Sequence, residues 1–124
     1  MKVLYIEPLK PPHPITIDGS LESMHKLVHG DLIEAVYPFD DPVALVCSET
    51  GKLDGLQPNR VVGSDIIFGP FFICGLGAED FTGLAPDLVE KYSSLFAAPE
   101  VFIPTAGGVA VIKVVAGPTK EERE

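Results

Sequence analysis

Twelve prolines and twelve glycines are distributed through these 124 residues, and they limit the length of any regular element the chain can build. A proline gives up its N–H and fixes φ, while a glycine raises the entropic cost of ordering an element. Short strands and short helices joined by many turns are therefore expected, and long helices are not. Val3 to Ile6 has the β-branched and aromatic content of a strand and stops at Pro8. Pro11-Pro12-His13-Pro14 reads as a stiff connector, and Ile15-Thr16-Ile17 resumes a strand pattern, so an N-terminal β-hairpin is expected.

Asp18 and Ser20 offer helix-capping oxygens, and Leu21, Met24, Leu27 and Val28 recur at helical spacing before Gly30, which predicts a helix from Leu21 to His29. Ile33 to Val36 and Val43 to Cys47 read as strands on either side of an aromatic, doubly acidic corner from Tyr37 to Pro42. Leu53 to Leu56 reads as a short return strand. Asp65 to Ile73 is the densest apolar run and is expected at the centre of the sheet, broken or bulged at Pro70. A glycine loop at positions 75, 77 and 83 precedes a second helix, expected from Pro86 to Phe96 with Leu88, Val89, Tyr92, Leu95 and Phe96 on one face. Val109 to Val115 is the last expected strand. Together these elements predict one α+β domain over residues 1–118, a mostly antiparallel mixed sheet with two short helices packed on one face, followed by a charged tail over residues 119–124.

With 46% hydrophobic and 22% charged residues the chain falls in the ordinary globular class. Its net charge of −9 argues against direct nucleic-acid binding, which draws its affinity from clustered Lys and Arg. The acids are spread along the chain and not massed in one block, which favours a solvated acidic surface over a dense imitation of DNA. Cys47 and Cys74 each lie in an apolar run and read as buried free thiols, with a disulfide between neighbouring strands as the alternative. The N-terminus reaches Glu7 and Pro8 too soon for a signal peptide, and no apolar stretch approaches a membrane span, so a soluble cytoplasmic protein is expected.

No Walker, nucleophile-elbow or zincin pattern occurs, and no enzyme and no cofactor are expected. Gly75-Leu76-Gly77-Ala78-Glu79-Asp80 lacks the third glycine of a dinucleotide fingerprint and places acids where a pyrophosphate would sit. His25 and His29 share a helical face, but no acid or thiol falls at a matching helical position, so no metal site is expected. Asp40 and Asp41 point to opposite sides of an extended chain, which favours turn chemistry over a catalytic dyad. Arg60 is the only arginine before the extreme C-terminus, and with Asn59 beside it offers a fork for a phosphate or carboxylate; an ion pair with Glu34, Asp40 or Asp41 is the alternative. Tyr37 could stack a planar ligand, whereas Phe39 is better placed in the core. The expected ligand-binding set is thus Arg60, Asn59, Tyr37, Asp40 and Asp41.

Several blocks in order resemble an uncharacterised domain family of bacteria, plasmids and phages. They are Met1-Lys2-Val3-Leu4 with Ile6-Glu7-Pro8, Ile17-Asp18-Gly19-Ser20-Leu21, Glu34-Ala35-Val36-Tyr37-Pro38-Phe39-Asp40-Asp41, Leu53-Asp54-Gly55-Leu56 with Asn59-Arg60, and Phe71-Phe72-Ile73-Cys74-Gly75 with Asp80-Phe81. The resemblance spans Met1 to Phe96 and brings no established activity. Against its pattern, the segment between Arg60 and Ile66 is shortened and Phe102 to Val115 is an added strand. The resemblance implies a mobile-element protein in a bacterial cytoplasm, for which two roles are expected. One is sequestration of a nucleotide-like signal molecule as a counter-defence factor; the other is inhibition of a host defence protein through the acidic surface, at the extreme by mimicking DNA. No membrane partner is expected, and the strand from Val109 could pair across a homo-oligomer.

Overall fold

The computed structural model describes residues 1–114; the expected end of the last strand at Val115, the domain end at residue 118 and the charged tail lie outside them. In chain order the first half forms β1 (Lys2–Ile6), β2 (His13–Thr16), α1 (Leu21–Val28), β3 (Ile33–Val36) and β4 (Val43–Ser48). The second half forms β5 (Pro58–Val62), β6 (Asp65–Phe68), β7 (Phe71–Leu76), β8 (Phe81–Thr82), α2 (Pro86–Leu95), β9 (Glu100–Thr105) and β10 (Gly108–Lys113). The main sheet runs β2-β1-β7-β4-β3 with β8 added to β7, and each of its pairings is antiparallel. Two hairpins, β5–β6 and β9–β10, stand outside it. An α+β fold with an antiparallel sheet is what the sequence predicts.

The helices, however, cover opposite faces of the sheet, not one. Leu4, Ile6, Leu45, Phe71 and Ile73 pack with Leu84, Tyr92 and Phe96 on the α2 side. Val3, Tyr5, Val46, Phe72 and Cys74 pack with Met24 and Val28 on the α1 side. The physical reason is visible in the strands: β4 is buried at every position, and β1 and β7 at nearly every one. A strand without polar alternation needs cover on both faces. The same alternation places Cys47 on the α2 side and Cys74 on the α1 side, so the two buried thiols are free and cannot be joined.

Local boundaries follow from local chemistry. Ser20 caps α1 by accepting a hydrogen bond from the Ser23 N–H at 3.1 Å, and His29, ahead of the expected Gly30, takes the left-handed stop at φ 56°. β2 begins at His13, earlier than expected, and tolerates Pro14 because it is an edge strand. The expected return strand at Leu53–Leu56 is a turn closed by hydrogen bonds from Asp54 to Thr50 and Leu56 to Gly51, with Gly55 at φ 77°. The apolar run from Asp65 breaks at Gly69 and Pro70, and its halves enter different sheets: β7 is central, β6 is not. Among the described residues no helix is long and apolar enough to cross a membrane.

Candidate functional site

Arg60 and Asn59, expected to present a binding edge, lie in the interior with 0% exposure. The Asn59 amide donates to the Ile6 and Gly69 carbonyls, each at 2.9 Å, which are the exit of β1 and the break before β7. The Arg60 guanidinium donates to the carbonyls of Lys10 at 2.7 Å, Phe96 at 3.1 Å and Asn59 at 3.3 Å, and to the Asn59 side-chain oxygen at 2.8 Å. Phe96 ends α2, so the cation sits where the helix dipole is negative and carbonyls lack helical partners. Burial pushes the Arg60 pKa down, and the charge of Glu100, itself buried, pushes it back up. Among the described residues Arg60 therefore faces neither a pocket nor an ion-paired carboxylate. It is an internal bracket, and the ligand fork expected from its chemistry is taken up by backbone oxygens.

The acidic corner divides its two carboxylates. Asp41 accepts hydrogen bonds from the Tyr92 hydroxyl at 2.6 Å and from the Lys91 ammonium at 2.7 Å, and these donors hold its carboxyl below the ordinary range. Asp40 stands apart from that tie, so no paired-carboxylate centre forms. Phe39 packs on Tyr92 with ring centroids 4.6 Å apart and the rings tilted by 48°, and it roofs the core, as expected, while Tyr37 is 60% exposed. The tie from Asp41 to α2 crosses fifty residues and left no short-range signal to read. In the glycine loop, the Gly77 N–H donates to the Asp80 carbonyl at 2.8 Å and the Phe81 N–H to the Asp80 carboxylate at 2.7 Å, a tight strand exit.

A groove of about 580 Å³ opens on the α2 side between the edge strand β3 and the β5–β6 hairpin. Its apolar floor is built by Val36, Cys47, Val62 and Ile67, all buried or partly buried. Its rim carries the exposed carboxylates of Glu34, Glu49 and Asp65. Lys52 also lines it, with its ammonium 5.9 Å from the centre of the Phe68 ring. All four residues of β6 border the groove, so it runs along the backbone of that strand and not beneath one face of it. Burial first, and Glu34 second, push the Cys47 thiol up to about 11. A thiol held that high reacts slowly, because the thiolate is the nucleophile. Native protein at pH 8 is accordingly expected to label with a disulfide reagent at least about tenfold more slowly than the urea-unfolded chain; equal rates would contradict the packing at Cys47 and Cys74.

His25 and His29 border a smaller cavity of about 320 Å³ with Lys26, Asp31 and Asp54. Among the described residues no group of three or more His, Cys, Asp or Glu side chains is placed to hold a metal ion. The groove was missed in the sequence because its walls come from four separate segments, β3, β4 with its following turn, β5–β6 and β10.

The fold is thus an α+β domain in which one antiparallel sheet is covered by a short helix on each face. Residues 1–97 match the family described as Domain of unknown function (DUF3846), and the chain belongs to that family. No curated protein and no solved structure matches it. The match stops just after α2, so the β9–β10 hairpin lies beyond it, where the sequence suggested an added strand.

Proposed function

We propose that the protein is a non-catalytic interaction module that holds a cationic segment of a protein partner in the acidic groove. The observation that carries this reading is the joining of an apolar floor to a rim of three carboxylates on a chain of net charge −9. Such a site suits lysine or arginine side chains, whose apolar stems lie on the floor while their charged ends reach the rim. The outer edge of β3, which among the described residues has no partner strand, adds backbone donors and acceptors that an extended segment can pair with. Sequestration of an anionic signal molecule is the weaker reading. Its cation, Arg60, is fully buried, and what remains of the expected ligand set outside the core is Tyr37 and the two carboxylates of Asp40 and Asp41. In the mobile-element setting that the sequence resemblance implies, the partner is a host defence protein of the bacterial cytoplasm and its inhibition is the outcome.

Fluorescence anisotropy with a labelled peptide of alternating lysine and valine tests this. Saturable binding is expected, weakening steeply with salt, and the double variant Glu34→Lys with Asp65→Lys is expected to weaken it about tenfold or more. Equal affinity of the variant, or equal binding of a glutamate–valine peptide, would remove the groove from the function.

A further inference from the structure

The β9–β10 hairpin is built unlike the rest of the surface. Every residue of β10 is exposed, including Val109 at 54% and Ile112 at 52%. Val111, Ile103 and Val114 are each at least 40% exposed as well. Residues 101–112 carry no charge at all, although the chain as a whole holds 18 acids. β9 contains Pro104, which has no N–H to offer, whereas β10 contains no proline and keeps its full set of backbone groups. β9 lies toward β5, and among the described residues the outer edge of β10 has no partner strand. A two-stranded ribbon with apolar side chains in water is marginal by itself, and an open apolar edge is a template for another strand.

We infer that the occupant of this edge is a second copy of the chain, joined by antiparallel β10–β10 pairing about a two-fold axis. Charge selects this occupant. Two copies of −9 repel wherever acids face one another, and the uncharged ribbon is a surface on which they can meet without that penalty. The pairing is also self-complementary, because a two-fold axis through the middle of Val109-Ala110-Val111-Ile112 sets Val109 against Ile112 and Ala110 against Val111, apolar against apolar with no charge in the pairs. An anionic lipid surface would repel the same chain. This inference rests on the edge and exposure of β10 and not on the carboxylate rim, although Val109 of β10 also borders the groove.

Sedimentation equilibrium of the full chain over about 1–100 μM spans the affinities at which such an edge dissociates. A dimer is expected for the wild type and for the control Leu53→Lys, at a side chain 87% exposed in the β4–β5 turn and not part of the ribbon. Val111→Lys and Ile112→Asp are each expected to raise the dissociation constant about tenfold or more while leaving the circular dichroism unchanged. A wild-type monomer at the highest concentration, or variants that dimerise as tightly as the wild type, would defeat the inference. A wild-type monomer that co-sediments with phosphatidylcholine vesicles would assign the ribbon to lipid instead.

Discussion

Arg60→Met is expected to destabilise the fold by about 3–5 kcal/mol, one of the largest losses available from a single residue outside the hydrophobic core. The substitution strips donors from the carbonyls of Lys10 and Phe96 and from the Asn59 side-chain oxygen, in a region closed to water. Each buried acceptor left unpaired costs about 1–3 kcal/mol, and relief from burying the charge offsets only part of that sum. The bracket also joins elements distant in sequence, the β1–β2 connection at Lys10, β5 and the end of α2, so its loss loosens three attachments together. Arg60→Lys keeps the charge but not the planar fork, and a loss of about 2–3 kcal/mol is expected because a single ammonium nitrogen cannot reach every acceptor that the spaced guanidinium nitrogens reach. Urea unfolding at constant slope measures both. A loss below about 0.5 kcal/mol for the methionine variant would mean that the carbonyls find other partners, and the bracket would lose its structural role.

Arg60 also shows why the candidate site was harder to read than the fold. Its chemistry, a fork of donors seeking planar acceptors, is evident from the residue type. Whether the acceptors belong to a ligand or to the chain depends on where Lys10 and Phe96 fold, and those residues are 50 and 36 positions away. A lone arginine in an acidic chain reads as a solvent-facing cation, and a buried one with backbone partners has no sequence pattern to announce it. The rim of the groove was equally hidden, since Glu34 and Glu49 approach through the β3–β4 pairing and Asp65 joins them only when the β5–β6 hairpin packs beside that pair.

The fold was legible where local chemistry decides it. Ser20 and Pro86 mark the helix starts, Gly69-Pro70 breaks the apolar run, and the segment after Arg60 forms a tight hairpin turning at Gly63 and Ser64. The placement of both helices on one face failed for a reason also present in the sequence. Val43-Ala44-Leu45-Val46-Cys47 and Phe71-Phe72-Ile73-Cys74 are apolar without alternation, and a strand of that kind is buried on both sides. Leu53 to Leu56 failed because a strand needs a neighbour, and Gly51 before the segment and Gly55 within it close a turn before one is reached.

Gly51→Val is expected to damage the groove and the fold together. A Cβ at Gly51 would lie 2.6 Å from the Phe68 carbonyl oxygen and 3.3 Å from its carbon, and these are backbone atoms that cannot swing aside. The conflict is one of space and not of backbone conformation, since Gly51 carries no positive φ. The end of β6 must move off the β4–β5 turn, and overpacking of this kind costs about 1–3 kcal/mol or more. Because Gly51, Lys52 and Phe68 all line the groove, the same displacement changes its width, and affinity for the lysine–valine peptide is expected to fall even at temperatures where the variant is fully folded. Gly55→Ala separates this from a general sensitivity of the turn. A methyl group at Gly55 would meet nothing within 4 Å, and φ there is 77°, so the substitution costs backbone strain alone, about 1 kcal/mol, and leaves peptide binding unchanged. Peptide affinity that falls equally in both variants would place the binding surface elsewhere, on the turn itself, and detach it from the wall that Phe68 and Gly51 form together.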